Sequence, residues 1–156
     1  MLRDKCGYEN SVKDKDCSYW ETFNNQMINE GAYIRVSNNM IYSITDEYST
    51  MGKYSLKCTS SNWQWLYYGI PNSILPQVSS PFEFKCDVST DGGELLIVVV
   101  EDGNEKAQFV TLSSGESTVE ISYTPTSYNF SKIQLGYRSR DVEKTCYIDN
   151  IRFYIQ

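Results

Sequence analysis

Trp63, Trp65 and Tyr67 stand at alternate positions of Trp63-Gln64-Trp65-Leu66-Tyr67-Tyr68-Gly69-Ile70. A strand over this run sets three large rings on one face and Leu66, Tyr68 and Ile70 on the other. Sugar rings present patches of C–H on one side and hydroxyls at their edges, so exposed indole and phenol faces match them by stacking. Gln64, with Asn62 and Asn72 nearby, supplies amides that could hydrogen-bond the hydroxyls. A plainer reading stays open, in which Trp65 and Tyr67 fill the core while Leu66 and Tyr68 sit at its edge, because aromatic strand residues are usually buried. The exposure of the rings decides between the two.

A different chemistry attaches to Asp149, which interrupts the strand-like run Cys146-Tyr147-Ile148-Asp149-Asn150-Ile151-Arg152-Phe153-Tyr154-Ile155. An ionised carboxylate inside an apolar strand needs a cation or several hydrogen bonds. Lys53 and Arg152 are the side-chain cations at hand. Ile148 and Ile151 have opposite parity, which predicts a bulge around Asp149-Asn150.

Catalysis has little to work with. The chain has no histidine, which removes the commonest general base and the Ser-His-Asp triad. A glycosidase can run on two carboxylates, but no Glu-x-Asp-x-x-Glu run is present, and Glu101-Asp102 and Asp46-Glu47 are adjacent pairs beside turns, as solvated pairs usually are. Glycine-rich phosphate loops are missing too. The expectation is that the chain is not an enzyme, with a hydrolase or lyase as the weakest option.

The elements that must position these residues are strands. Thirteen Tyr, three Trp and six Phe make an aromatic fraction of 14%, and such a composition favours sheet. Period-two rows run through Ala32, Ile34 and Val36, through Met40, Tyr42 and Ile44, and through Tyr54, Leu56 and Cys58. Phe82, Phe84, Cys86 and Val88 make the clearest row. Ser37-Asn38-Asn39 between the first two predicts a hairpin. Turn residues then recur at Asp91-Gly92-Gly93, Asp102-Gly103-Asn104, Ser113-Ser114-Gly115 and Thr124-Pro125-Thr126, bracketing strands over 94–101, 106–112, 117–123 and 132–138. Leu95 to Val100 is apolar on both faces, so it predicts a central strand whose outer face is not fully wet. About ten strands without a helix to cover a sheet imply two antiparallel sheets packed face to face. The fold class is an all-β antiparallel sandwich, with jelly-roll topology favoured over an immunoglobulin-like one, formed by residues 1–156 as one domain. Residues 1–30 read as an irregular N-terminal segment packed on it.

A formal charge of −6, with the 14 basic residues scattered singly, argues against nucleic acid as a partner. No apolar run approaches the ~20 residues of a membrane-spanning helix. Cys58, Cys86 and Cys146 fall in strand rows, where a thiol acts as a small hydrophobe. Cys6 and Cys17, in the polar N-terminal part, could close a short loop by disulfide.

The terminal run around Asp149, Gly52-Lys53-Tyr54-Ser55-Leu56-Lys57 and Tyr8-Glu9-Asn10, taken in order, resemble the jelly-roll carbohydrate-binding modules attached to polysaccharide-degrading enzymes and microbial surface proteins. The resemblance implies a non-catalytic module that binds a polysaccharide or cell-surface glycan, with Trp63, Trp65, Tyr67 and Gln64 as its contacts. In such modules the concave sheet and its rim hold the sugar, which adds Tyr137 and Arg138, the latter donating from its fork. An acid near the N-terminus and an acid of the last strand often share a structural calcium there, which here would be Glu9 and Asp149. Ser11-Val12 stands where the first motif usually has a glycine. The chain would then be part of a larger exported protein or assembly, extracellular or at a cell surface. The alternative is a structural or adhesion domain of a cell surface, virion or fibre that binds no sugar.

Overall fold

Strand pairing follows the period-two rows, and a computed structural model gives its geometry. It describes residues 17–156 and, before them, only the backbone pairing of β1 (Arg3–Asp4) with β2 (Gly7–Tyr8). The remaining strands are β3 (Tyr19–Glu21), β4 (Tyr33–Val36), β5 (Ile41–Thr45), β6 (Ser55–Ser60), β7 (Trp65–Gly69), β8 (Phe82–Thr90), β9 (Glu94–Glu101), β10 (Asn104–Thr111), β11 (Gly115–Tyr123), β12 (Phe130–Arg138) and β13 (Lys144–Ile155). One sheet runs β10-β9-β12-β7-β4 and the other β11-β8-β13-β6-β5, with β3 added on β13. Every pairing is antiparallel. The result is the expected sandwich, of the jelly-roll class.

The core lies between the inner rows of the two sheets. From one sheet come Leu66 and Tyr68, Leu95, Ile97 and Val99, and Ile133 and Leu135. From the other come Leu56, Phe82, Phe84, Val88, Ile151 and Phe153, all fully buried. Rings concentrate at one place in it: Phe153 lies 5.4 Å from Phe82 and 5.1 Å from Phe84, and Phe82 also meets Tyr123 and Phe130 at 5.5 Å each.

One expectation needs correcting. Ser37 to Met40 forms a tight turn, with Asn38 and Asn39 both left-handed and the Met40 N–H donating to the Ser37 carbonyl, but it does not close a hairpin. β4 pairs with β7 in one sheet and β5 with β6 in the other, so the turn carries the chain across the end of the sandwich. The physical reason is that Ile34, Val36 and Ile44 all pack on one shared core and Met40 is buried beside it. The rows therefore face each other across the sandwich. Periodicity reports which residues point inward and is silent on which sheet they belong to.

The bulge expected near Asp149 is present. The β13–β8 register shifts between Asp149 and Arg152, and Asn150 is left-handed. Its amide oxygen accepts the Trp20 indole N–H at 2.5 Å while its amide nitrogen donates to Asp87. The bulge thus ties β3 to the end of the chain.

Glu101 is a second correction. It is not a solvated acid but a fully buried one. The Tyr123 hydroxyl, the backbone N–H groups of Thr126 and Ser127, and Lys106 all donate to it at 2.6–3.0 Å. Burial works to raise its carboxyl, but these bonds outweigh it and hold it down at about 2.

Cys58, Cys86 and Cys146 are free and buried, with burial pushing each thiol up. Cys17 is disulfide-bonded. Cys6, the partner considered for it, lies outside the described residues.

Candidate functional site

The outer face of the five-stranded sheet is assembled by cross-strand register. Arg35, Tyr67, Gly136, Leu96 and Phe109 form one row across β4, β7, β12, β9 and β10. Tyr33, Gly69, Gln134, Val98 and Ala107 form the neighbouring row. Trp65, Arg138 and Glu94 lie in a third. Two glycines shape this surface. A Cβ on Gly69 would collide with the Tyr33 ring, and one on Gly136 would stand 2.7 Å from Tyr67 Cδ1. With no side chain beneath them, both tyrosines lie across the neighbouring strand. Tyr33 reaches far enough for its hydroxyl to accept a hydrogen bond from Gln134 Nε2 at 2.9 Å.

Trp65 stacks on Tyr67 with centroids 4.2 Å apart and planes 19° from parallel. The Arg35 guanidinium lies 5.4 Å from the Trp65 ring. Under these rings Leu96 and Val98 are buried on the outer face of β9, which is why that strand reads as apolar on both sides. Tyr67 is 8% exposed, whereas Trp65 remains half-buried at the surface. Gln134 is fully buried, and its Oε1 has no hydrogen-bond partner.

At the far end of the face Trp63 is 50% exposed and Phe109 47% exposed. The guanidinium carbons of Arg138 and Arg140 lie 4.9–5.5 Å from the centroids of both rings, within cation–π range. Glu94 takes Arg138 Nε on one oxygen at 2.8 Å and Arg140 on the other at 2.9 Å. Burial acts to raise the Glu94 carboxyl, but the N–H groups of the two arginines outweigh it and hold it below the usual carboxylate range.

Of the residues named from sequence, Trp63, Trp65, Tyr67 and Arg138 meet on this face. The first does so by an unforeseen route: it is not in the strand but at φ 65 in the Ser61–Gln64 turn, a left-handed conformation that costs a bulky residue energy. Gln64 is spent elsewhere. Its Oε1 accepts the Ser61 N–H and its Nε2 donates to the Asn38 carbonyl, tying together the two turns that cross between sheets. Tyr137 is a correction. Its parity is that of Ile133 and Leu135, so the ring is fully buried in the core and its hydroxyl bonds the Gly92 carbonyl. Missed altogether were Tyr33, Arg35, Gly69, Phe109, Gly136 and Arg140. Phe109 and Arg140 lie on segments whose nearness to Trp63 only the sheet order reveals. The paired glycines at 69 and 136, each in an aromatic-rich strand, were the signal available.

Asp149 is buried, and its carboxyl is pushed up to about 6, first by burial and also by the nearby Asp87, against the N–H bonds it accepts. Those come from the backbone of Thr50 and Met51 to Oδ2 and of Asn150 to Oδ1. Arg152 pairs with Asp87. Glu9 lies outside the described residues, and among the described residues no group of three or more acids and cysteines gathers as metal donors.

The sequence matches no protein-family model and no curated protein. Solved structures share the fold. The CBM22-1 xylan-binding domain from Paenibacillus barcinonensis Xyn10C aligns with a TM-score of 0.67 at 14% identity, over 90% of this chain and 94% of that one. The C-terminal family 22 carbohydrate binding module of Clostridium thermocellum Xyn10B aligns with a TM-score of 0.60 at 12% identity, over 90% and 93%. The enzymatically active domain of bacteriophage CBA120 tailspike protein 4 aligns with a TM-score of 0.57 at 10% identity, over 81% of this chain and 20% of that one. The chain therefore has the jelly-roll fold of carbohydrate-binding modules, in agreement with the resemblance of its motifs.

Proposed function

We propose that the chain is a non-catalytic carbohydrate-binding module that receives a polysaccharide or cell-surface glycan on the outer face of the five-stranded sheet. The observation that carries this reading is the aromatic floor of that face, where Tyr33 and Tyr67 lie across glycines and Trp65 stacks on Tyr67. Trp63 extends it at the rim. Tyr67 lies beneath Trp65, so the ring surface open to a sugar is that of Trp63 and, in part, of Trp65 and Tyr33. The solved neighbours named as xylan-binding and carbohydrate-binding modules support the same reading. Glu94, the acid beside the rings, is held ionised by two guanidinium groups, which argues against its acting as a general acid. In this role the chain works outside the cell or at its surface, within a larger exported protein or assembly. The disulfide at Cys17 suits such a compartment.

Titration calorimetry or affinity electrophoresis against a panel of soluble polysaccharides tests the proposal. Trp63→Ala and Trp65→Ala are each expected to weaken binding by ~1–3 kcal/mol without unfolding the domain. Failure of every glycan to bind at millimolar concentration would end it. The second reading, a structural or adhesion domain without sugar binding, would then take over. It has in its favour the exposed Ile41 and Tyr42 on edge strand β5.

A structural calcium shared by Asp149 and Glu9 is a separate proposal, carried by the resemblance of their motifs. Among the described residues Asp149 Oδ1 accepts a single N–H, which leaves a lone pair for a cation. A cation bound by the folded state alone raises the melting temperature as its concentration rises. Melts with excess calcium and with a chelator are expected to separate for the wild type and to coincide for Asp149→Asn. Coincident wild-type melts, from protein shown to start metal-free, leave Asp149 as a hydrogen-bonded strand residue.

A further inference from the structure

The face proposed to hold a sugar carries arginines that its ion pairs do not fully answer, in a chain whose summed charge is acidic. Basic residues number 14 against 20 acidic ones in the sequence. By the strand register and the contacts of Arg140, this face holds Arg35, Lys132, Arg138 and Arg140 with Glu94 and Glu105, while Glu30 borders it beside Tyr33 and Asp141 follows Arg140 next to the Trp63 turn. Arg138 and Arg140 stand at the rim. There Glu94 pairs with both guanidinium groups beside Trp63 and Phe109, and among the described residues no second carboxylate comes into ion-pair range of either.

The donors are also unspent. Each guanidinium has five N–H groups. Arg138 gives its Nε to Glu94, and Arg140 its Nε and Nη2. Among the described residues no acceptor takes either Nη of Arg138 or Nη1 of Arg140. Arg35, stacked by Trp65 and Tyr67, has no carboxylate in ion-pair range among the described residues either.

A neutral sugar would fill some of these donors with hydroxyls and leave the second guanidinium charge unanswered. A carboxylate would do both, through the bidentate geometry that suits the guanidinium fork. We infer that the ligand of this face is an acidic glycan, one whose sugar rings carry carboxylates as uronic acids do, with the carboxylate received by Arg138 and Arg140 and the sugar ring stacked on Trp63. This rests on the face being a sugar site. Nucleic acid is a poor fit, since a few arginines on an acidic chain offer no long track of phosphate contacts.

The probes are glucuronoxylan, polygalacturonate and alginate, each compared with the same polymer after its carboxyl groups have been reduced to alcohols, with neutral xylan and galactan alongside. The wild type is expected to bind at least one uronate polymer, with affinity falling by about tenfold or more on carboxyl reduction, as expected for loss of a charge-assisted contact. The same affinity should fall as sodium chloride is raised from about 50 to about 500 mM. Arg140→Gln, at an exposed position, should bring the acidic polymer and its reduced form to within about twofold of each other, a change of less than one charged hydrogen bond. Equal affinity of wild type for acidic and reduced polymers, or binding of neutral glycans alone, overturns the inference and leaves the sugar site standing. Binding to none of the probes overturns both.

Discussion

Exchanging Phe84 for Ala is expected to lower the stability of the domain by ~3–5 kcal/mol, through lost burial and the cavity left behind. That is a large part of the ~5–15 kcal/mol available to a typical domain. Phe84 is fully buried on β8, pairs in register with Phe153 of β13, and lies 5.1 Å from that ring. Phe153 in turn touches Phe82, which meets Tyr123 and Phe130. Removing one ring therefore opens a void in a chain of contacts that joins both sheets, where neighbours held by strand pairing have little freedom to collapse. Denaturant unfolding with an unchanged slope measures it. A loss below ~1 kcal/mol, the level of an ordinary substitution, would mean that the core does not depend on this ring.

The second large effect is expected at Glu101. Replacing it with Gln keeps the shape but turns one acceptor oxygen into a donor facing N–H and O–H groups that already donate. Tyr123 and the backbone of Thr126 and Ser127 lose part of their partner, at a cost of ~2–4 kcal/mol near neutral pH. The pH dependence gives the sign. The folded carboxyl sits at about 2 against an ordinary 4.5, so the ionised form is favoured by folding. Its contribution is present above about 4.5 and is lost as pH falls toward about 2. Wild type and Glu101→Gln should therefore differ most at pH 7 and converge steadily as the solution is acidified. A difference that stays constant down to pH 3, or widens, would show that the acid is not stabilised in its charged form.

The parity of the strands was legible in the residues. Phe82, Phe84 and Val88 alternate with polar neighbours because one face of β8 meets the core and the other meets water. The opposite parities of Ile148 and Ile151 marked the bulge for the same reason, since both had to face inward. For β7 the alternation offered two faces and did not say which was buried; the structure puts Leu66, Tyr68 and Ile70 in the core and Trp65 and Tyr67 on the outer side. Parity also assigned Tyr137 to the core, beside Ile133 and Leu135. Reading it as a surface ring set its resemblance to other modules above its own alternation.

By itself, then, the sequence determined the sandwich, most of its inner rows and the place of a ring-bearing strand, because each depends on the local alternation of apolar and polar side chains. It also excluded the histidine-dependent chemistries outright. Tertiary structure decided the rest. Whether 37–40 closed a hairpin or crossed between sheets depended on which strand each edge met, a pairing with no local signature. That Glu101 is buried rather than solvated depended on the loop at 126–127, more than twenty residues away, folding back to donate to it. The site itself belongs to this second class. Arg35, Trp63, Phe109 and Arg140 come from segments far apart in the chain, and only the order β10-β9-β12-β7-β4 brings them onto one surface. Charge shows the same limit: the sum over the chain is negative, while the sign that a ligand meets is set by the few groups that the sheet gathers around it, since solvent and salt screen the others within about 10 Å.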